Sequence, residues 1–168
     1  MADHYAYTED MDELWKGFQA HNGLSDEEVE LFKNDPKRRH FVPKMADPDF
    51  QDWTMVIEVV DSHACSNGMK VGDKLYFKAA GGILDMERSC KNGWCAHAFN
   101  HISAYCNIIH NLLHSGVEDP NYYIYGPHFP CTDVGTKFGW GYVVLKCWCF
   151  RESLGEDYKD WANPVYDD

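Results

Sequence analysis

Over the first fifty residues the apolar positions recur at helical spacing, and Met11, Leu14, Trp15 and Phe18 form one amphipathic face between Thr8 and about His21. Ser25 followed by Glu28 is a capping box, which opens a short helix through Phe32 that stops at Asn34-Asp35-Pro36. Pro43, Pro48 and the polar residues around them read as a connecting loop. The pattern then changes. "WTMVIEVV" (53–60) is rich in β-branched residues and predicts a strand, and "KVGDKLYFKAAGGILD" predicts a turn, a second strand and a bend at Gly81-Gly82. "YYIYG" (122–126) is a short strand candidate, and "GYVVLKCWCF" (141–150) is a longer one.

Between these lies "WCAHAFNHISAYCNIIHNLLHSG" (94–116), twenty-three positions without one Asp, Glu, Lys or Arg. Wound as a helix, it gathers Ala98, Phe99, Ile102, Tyr105, Ile109 and Leu113 on one arc. Asn100, Ser103, Asn107, His110, Asn111 and His114 fall on another. A solvated helix normally carries Lys and Glu on its outer arc. Neutral amides and imidazoles there predict a cavity, an interface or a helix covered on both sides. The order β-β-α-β-β, preceded by helices, predicts an α+β fold in which a small antiparallel sheet packs on this central uncharged helix. Residues 1–50 form an acidic helical arm and linker, 51–151 the core domain, and 152–168 an acidic tail.

Composition narrows the function classes. The chain has 168 residues, 45% hydrophobic and 15% aromatic, which excludes a disordered chain. A net charge of -12 argues against nucleic acid, and the one basic run, Lys37-Arg38-Arg39-His40, is too short to reverse that. No apolar run reaches the ~20 residues that span a bilayer. The start, Met1-Ala2-Asp3-His4, has no apolar h-region, so a cytoplasmic location with reduced thiols is expected. Both acidic arms, each with Trp and Tyr, suit either solvent or a partner subunit, and a homo- or hetero-oligomer is expected.

Chemistry concentrates in His and Cys. His97/His101 and His110/His114 are i,i+4 pairs, and such a pair can bite one metal ion. Ala98 and Asn111 stand where a metalloprotease helix would carry Glu, so neither pair is that motif. Cys95 falls near the first helical turn, where the positive end of the dipole suits a nucleophile or ligand. Asp61, His63 and Cys65 share a face if the first strand continues, as do Cys147 and Cys149 in the last. None of the seven cysteines forms a CxxC pair, so a zinc ribbon or a thioredoxin-type dithiol is excluded by spacing.

"CSNGMKVGDKLYF" (65–77), "CAHA" (95–98), "CTDVG" (131–135) and "GWGYVVLK" (139–146) together resemble a family of small uncharacterised prokaryotic proteins. Its pattern is roughly Cys-x-x-Gly-His-Lys-Val-Gly-Asp, then Cys-Pro-x-Ala opening a helix, then a closing strand. The resemblance covers about residues 53 to 150. It singles out Cys65, Gly68, Gly72, Asp73, Cys95 and Cys131, while Met69 and Ala96 depart from the family's His and Pro. The family is common in anaerobes, often beside catabolic genes, and has no settled activity.

Two function classes follow. In the first the chain is a small metal-binding protein, an accessory or catalytic subunit in anaerobic catabolism, with Zn or Fe held by Cys65, Cys95, His97 and Cys131. In the second it is a stand-alone lyase, isomerase or hydrolase acting on an aromatic or oxygenated small molecule. Cys95 or His101 would then supply nucleophilic or acid-base chemistry, with Tyr105, Trp140 and Tyr142 as pocket walls.

Overall fold

The computed structural model describes residues 5–89 and 95–157. The chain divides into two compact units, Met1–Gln51 and Asp52–Asp168.

The first unit holds four helices, α1 (Met11–Asn22), α2 (Asp26–Asn34), α3 (Pro36–Ala46) and the single turn α4 (Pro48–Gln51). Asp10 caps α1 by accepting from the backbone N–H groups of Asp12 and Glu13, and Gly23 closes it in the left-handed conformation. The Ser25–Glu28 capping box forms with both of its reciprocal bonds. Leu14, Trp15 and Phe18 are buried with Tyr5, Val29, Val42 and Ala46, so α1 spends its apolar face inside its own unit. Met11 stays 44% exposed.

The loop expected around Pro43 is instead helix α3. Asp35 ends α2 and caps α3 at once, its side chain accepting from the N–H groups of Lys37 and Arg38. Pro36 sits in the first turn, where its missing N–H is one of the unpaired ones anyway. Pro43 comes so late that it removes one bond in the last turns and nothing more.

The second unit is α+β. Its five-stranded antiparallel sheet runs β3-β2-β1-β5-β4, with β1 Trp53–His63, β2 Lys74–Phe77, β3 Ile83–Asp85, β4 His128–Pro130 and β5 Tyr142–Arg151. β1 and β5 pair from Trp53↔Arg151 to His63↔Tyr142 with a bulge between Val59 and Asp61, which carries β1 three residues beyond its expected end. Between β2 and β3 lies the turn α5 (Lys78–Gly81), where Ala79 and Ala80 have φ of 51° and 56°. The bend expected at Gly81-Gly82 therefore begins two residues earlier.

The strand expected at "YYIYG" does not form. Pro120–Tyr123 is a 3-10 turn capped by Asp119. Within it the Asn121 side chain accepts from the Cys149 N–H at 2.8 Å and donates to the Cys149 carbonyl at 3.1 Å. One amide side chain thus does what a neighbouring strand's backbone would do. The strand that pairs with β5 is β4, further along the chain, in register Phe129↔Leu145.

The long helix α6 (Ala96–His114) packs on β1, β4 and α5, burying Ala98, Ile102, Ile109, Leu113 and His114. On the opposite face of the sheet, Val56, Tyr76, Trp148 and Phe150 form a second cluster. Arg88 lies over the Tyr76 and Phe150 rings at 4.4 and 5.5 Å and pairs with Glu152 at 2.5 Å. Thr54 donates to Glu152 at 2.7 Å, Tyr76 donates to Glu156 at 3.0 Å, and Lys74 pairs with Glu156. The beginning of the acidic tail is therefore bound to the sheet. Among the described residues no helix is long and apolar enough to cross a membrane.

Candidate functional site

The uncharged arc of α6 divides into two environments. His114 is buried and His110 half-buried, whereas Asn100, Asn107 and Asn111 are exposed. Asn107 turns its amide back onto the Ser103 carbonyl at 2.9 Å, a bond within the helix itself. Within the chain, burial along this arc is deepest at its C-terminal histidines. The groups that converge on a cleft sit at the helix's other end.

That cleft encloses about 350 Å3 including its open mouth, and its walls include Cys65, Met69, Cys95, His97, Cys131, Asp133 and Tyr142. Four separate segments supply them. Cys65 sits in the turn that leaves β1, just after Ala64 at a φ of 51°, with the Gly68 N–H donating to the Cys65 carbonyl at 3.0 Å. Met69 is 3% exposed and its carbonyl accepts from Ser62 at 2.7 Å, which anchors the loop. Cys95 is the N-cap of α6. Its carbonyl accepts from Ala98 and Phe99, while its thiol makes no capping bond and faces the cleft.

His97 is pinned to the segment after β4. Its Nδ1 lies 3.0 Å from the Thr132 hydroxyl, and its carbonyl accepts from the Thr132 N–H at 3.2 Å. Engaging Nδ1 this way leaves Nε2 as the outward nitrogen, the arrangement in which a metal-binding imidazole is oriented by a second-layer partner. Cys131 is buried. Its N–H donates to the Val143 carbonyl at 2.9 Å, and the Val143 N–H donates back to its Sγ at 3.4 Å.

Asp133 braces the loop that closes the cleft. Burial works against its charged form, but backbone N–H groups of Gly141, Trp140, Val134 and Gly135 outweigh that and hold its carboxyl below the usual range. A depressed folded-state value contributes stability above the ordinary aspartate range and loses it as pH falls through the folded value. Asp133→Asn should therefore melt below the parent at pH 7, with the gap narrowing as both proteins are melted toward pH 3. A gap that stays constant with pH would remove the carboxylate from this role.

The structure brings Cys65, Cys95, His97 and Cys131 to one cleft and leaves His101 out of it. His101 is half-buried with its ring 6.3 Å from Phe129, and it is not among the residues that line the cleft with Cys95. Of the expected aromatic walls only Tyr142 lines the cleft. Tyr105 stacks on Phe129 at 4.4 Å, and Trp140 is 82% exposed. Sequence reasoning missed Asp133 and Thr132, although both lie in the "CTDVG" motif. Cys65, Cys95, Cys106, Cys131, Cys147 and Cys149 are all free. Burial pushes the Cys106 thiol up to about 11 and raises those of Cys147 and Cys149 as well, which makes them inert core groups. Among the described residues no three His, Cys, Asp or Glu side chains already stand in an arrangement that would hold a metal ion. Three thiols and an imidazole are nonetheless the donor types that soft or borderline metals take. The chain was compared with protein families, curated proteins and solved structures, and nothing matched.

Proposed function

We propose that this is a small metal-binding protein whose cleft takes Zn or Fe through Cys65, Cys95, His97 and Cys131, serving as an accessory or catalytic subunit in catabolism. The observation that supports this is the convergence itself. Four residues from three distant segments, each carrying a soft or borderline donor, line the same cleft. Two of them already have a second-layer partner, Thr132 for His97 and the Val143 N–H for Cys131. The ligand segments are loops and a helix start, outside the paired strands of the sheet. A chemistry confined to Cys95 and His101 has less support, because only Cys95 faces the cleft.

Protein purified without chelator is expected to carry close to one Zn or Fe per chain by elemental analysis. Chelator should lower its melting temperature, and Cys65→Ser or Cys95→Ser should each abolish loading, since a site missing one thiolate loses most of its affinity. Metal-free protein whose melting temperature ignores chelator would overturn the proposal.

A further inference from the structure

We propose that His110 and His114 form a second site, separate from the cleft, for a borderline divalent ion of the Zn2+ or Ni2+ type bound through both Nε2 atoms. The site lies in the last turns of α6, whereas Cys95 and His97 are at its start. Thirteen residues of helix put about 20 Å between them.

The geometry carries the inference. The two Nε2 atoms are 3.0 Å apart, while the ring centroids are 4.4 Å apart and the planes cross at 69°. A straight N–H···N bond between in-line rings would separate the centroids by about 5 Å. The shorter separation means that this Nε2–Nε2 contact, a hydrogen bond in the metal-free chain, is bent, with the two Nε2 directions out of line. An ion about 2.1 Å from each nitrogen would see them at roughly a right angle, which tetrahedral and octahedral shells both tolerate approximately. The helix sets this spacing, because residues four apart stand one above the other.

The surroundings hold the pair in place. His114 is 5% exposed, so its ring has little freedom, while half-buried His110 leaves a way in from solvent. The His110 ring also reaches the Ala80 carbonyl. That carbonyl is presented by a turn in which buried Ala79 and Ala80 take the left-handed conformation that alanine rarely adopts. Gly81 follows with a φ of 91°, and a Cβ there would lie 3.4 Å from the Cys106 backbone of α6. The turn therefore packs directly against the His110 ring, whose Cε1 lies 3.9 Å from where a Cβ on Gly82 would stand.

Other groups fit this reading. Cys106, one turn earlier on α6, is held as a thiol by burial and is no competing ligand. Among the described residues no third side chain completes the set, and the remaining positions on a bound ion would fall to water. Two protein ligands then mean micromolar affinity and a reversible site.

The test is titration calorimetry with Ni2+ on the full-length chain carrying Cys65→Ser, which disables the cleft and separates this proposal from the previous one. One Ni2+ should bind per chain at pH 7.5 and much more weakly at pH 5.5, with no thiolate charge-transfer absorption. His110→Gln should weaken binding at least tenfold, and His114→Gln likewise. Because His110 is half-exposed, its variant remains decisive if the His114 variant fails to fold. No Ni2+ binding to the Cys65→Ser chain, or equal binding by a folded His110→Gln version of it, would overturn the site.

Discussion

Gly141→Ala is expected to be among the most damaging single-methyl additions in the second unit. A Cβ at Gly141 would lie 2.3 Å from the Ala64 carbonyl oxygen and 2.5 Å from that of His63, both backbone atoms. No flexible side chain can move aside, so the ends of β1 and β5 must separate. Overpacking usually costs about 1–3 kcal/mol, and a clash with two carbonyls belongs at or above the top of that range. Gly126→Ala is the control. Its Cβ would meet nothing within 4 Å, and the cost there is the left-handed φ of 69° alone, about 1 kcal/mol. Urea titrations should rank the two variants in that order. Because Gly141 also lines the cleft beside Cys131, its variant should impair the metal loading proposed for the cleft, while Gly126→Ala leaves it unchanged. Equal midpoints for the two variants would show that the strands do not meet closely at Gly141.

This contact explains why part of the site was unreadable in the sequence. The Ser25–Glu28 box, the neutral helix and the strand at "GYVVLKCWCF" announce themselves within a few residues, and each forms. α3 was hidden because "PKRRHFVPKMA" has little apolar periodicity, and its start depends on Asp35 serving two helices. The failure at "YYIYG" came from Asn121, whose amide satisfies Cys149 in place of a strand, a pairing set by residues 28 apart. At the cleft the donor types were legible from Cys65, Cys95, His97 and Cys131. Their frame was not, because the approach of Gly141 to residues 63 and 64 and the hold of Asp133 on its loop arise only in the folded chain. Met69 illustrates the limit well. It departs from the resembling pattern's His, and the structure shows the position as a buried apolar wall.

The cleft and the histidine pair use α6 differently. At its start the helix contributes a capping residue, Cys95, and a first-turn side chain, His97, both positioned from outside by the loop after β4. At its end it contributes two rings spaced by its own pitch. A charge at the positions of Cys95, His97, His110 or His114 would stand in the cleft or beside a buried imidazole, whereas Asn100 and Asn111 are exposed. That accounts for the absence of charge at those four positions and leaves the exposed asparagines between them to be tested.

In the middle of α6, Ile109→Ala and Asn107→Lys should give opposite results although they lie two residues apart. Ile109 is fully buried, on the side of α6 that packs against the sheet. Removing its side chain beyond Cβ leaves a cavity that the rigid β1–β5 ladder cannot collapse to fill, at a cost of about 2–5 kcal/mol. Asn107 is exposed, and its amide bonds only to the Ser103 carbonyl one turn back. Lysine is a better helix former than asparagine, so that substitution should change stability by no more than about 0.5 kcal/mol in either direction. Denaturant titration measures both, and the slope should stay constant while the midpoint falls for Ile109→Ala alone. Should Asn107→Lys instead lower the midpoint as much as Ile109→Ala, the neutral arc would be a packed surface, and α6 would be covered on both sides.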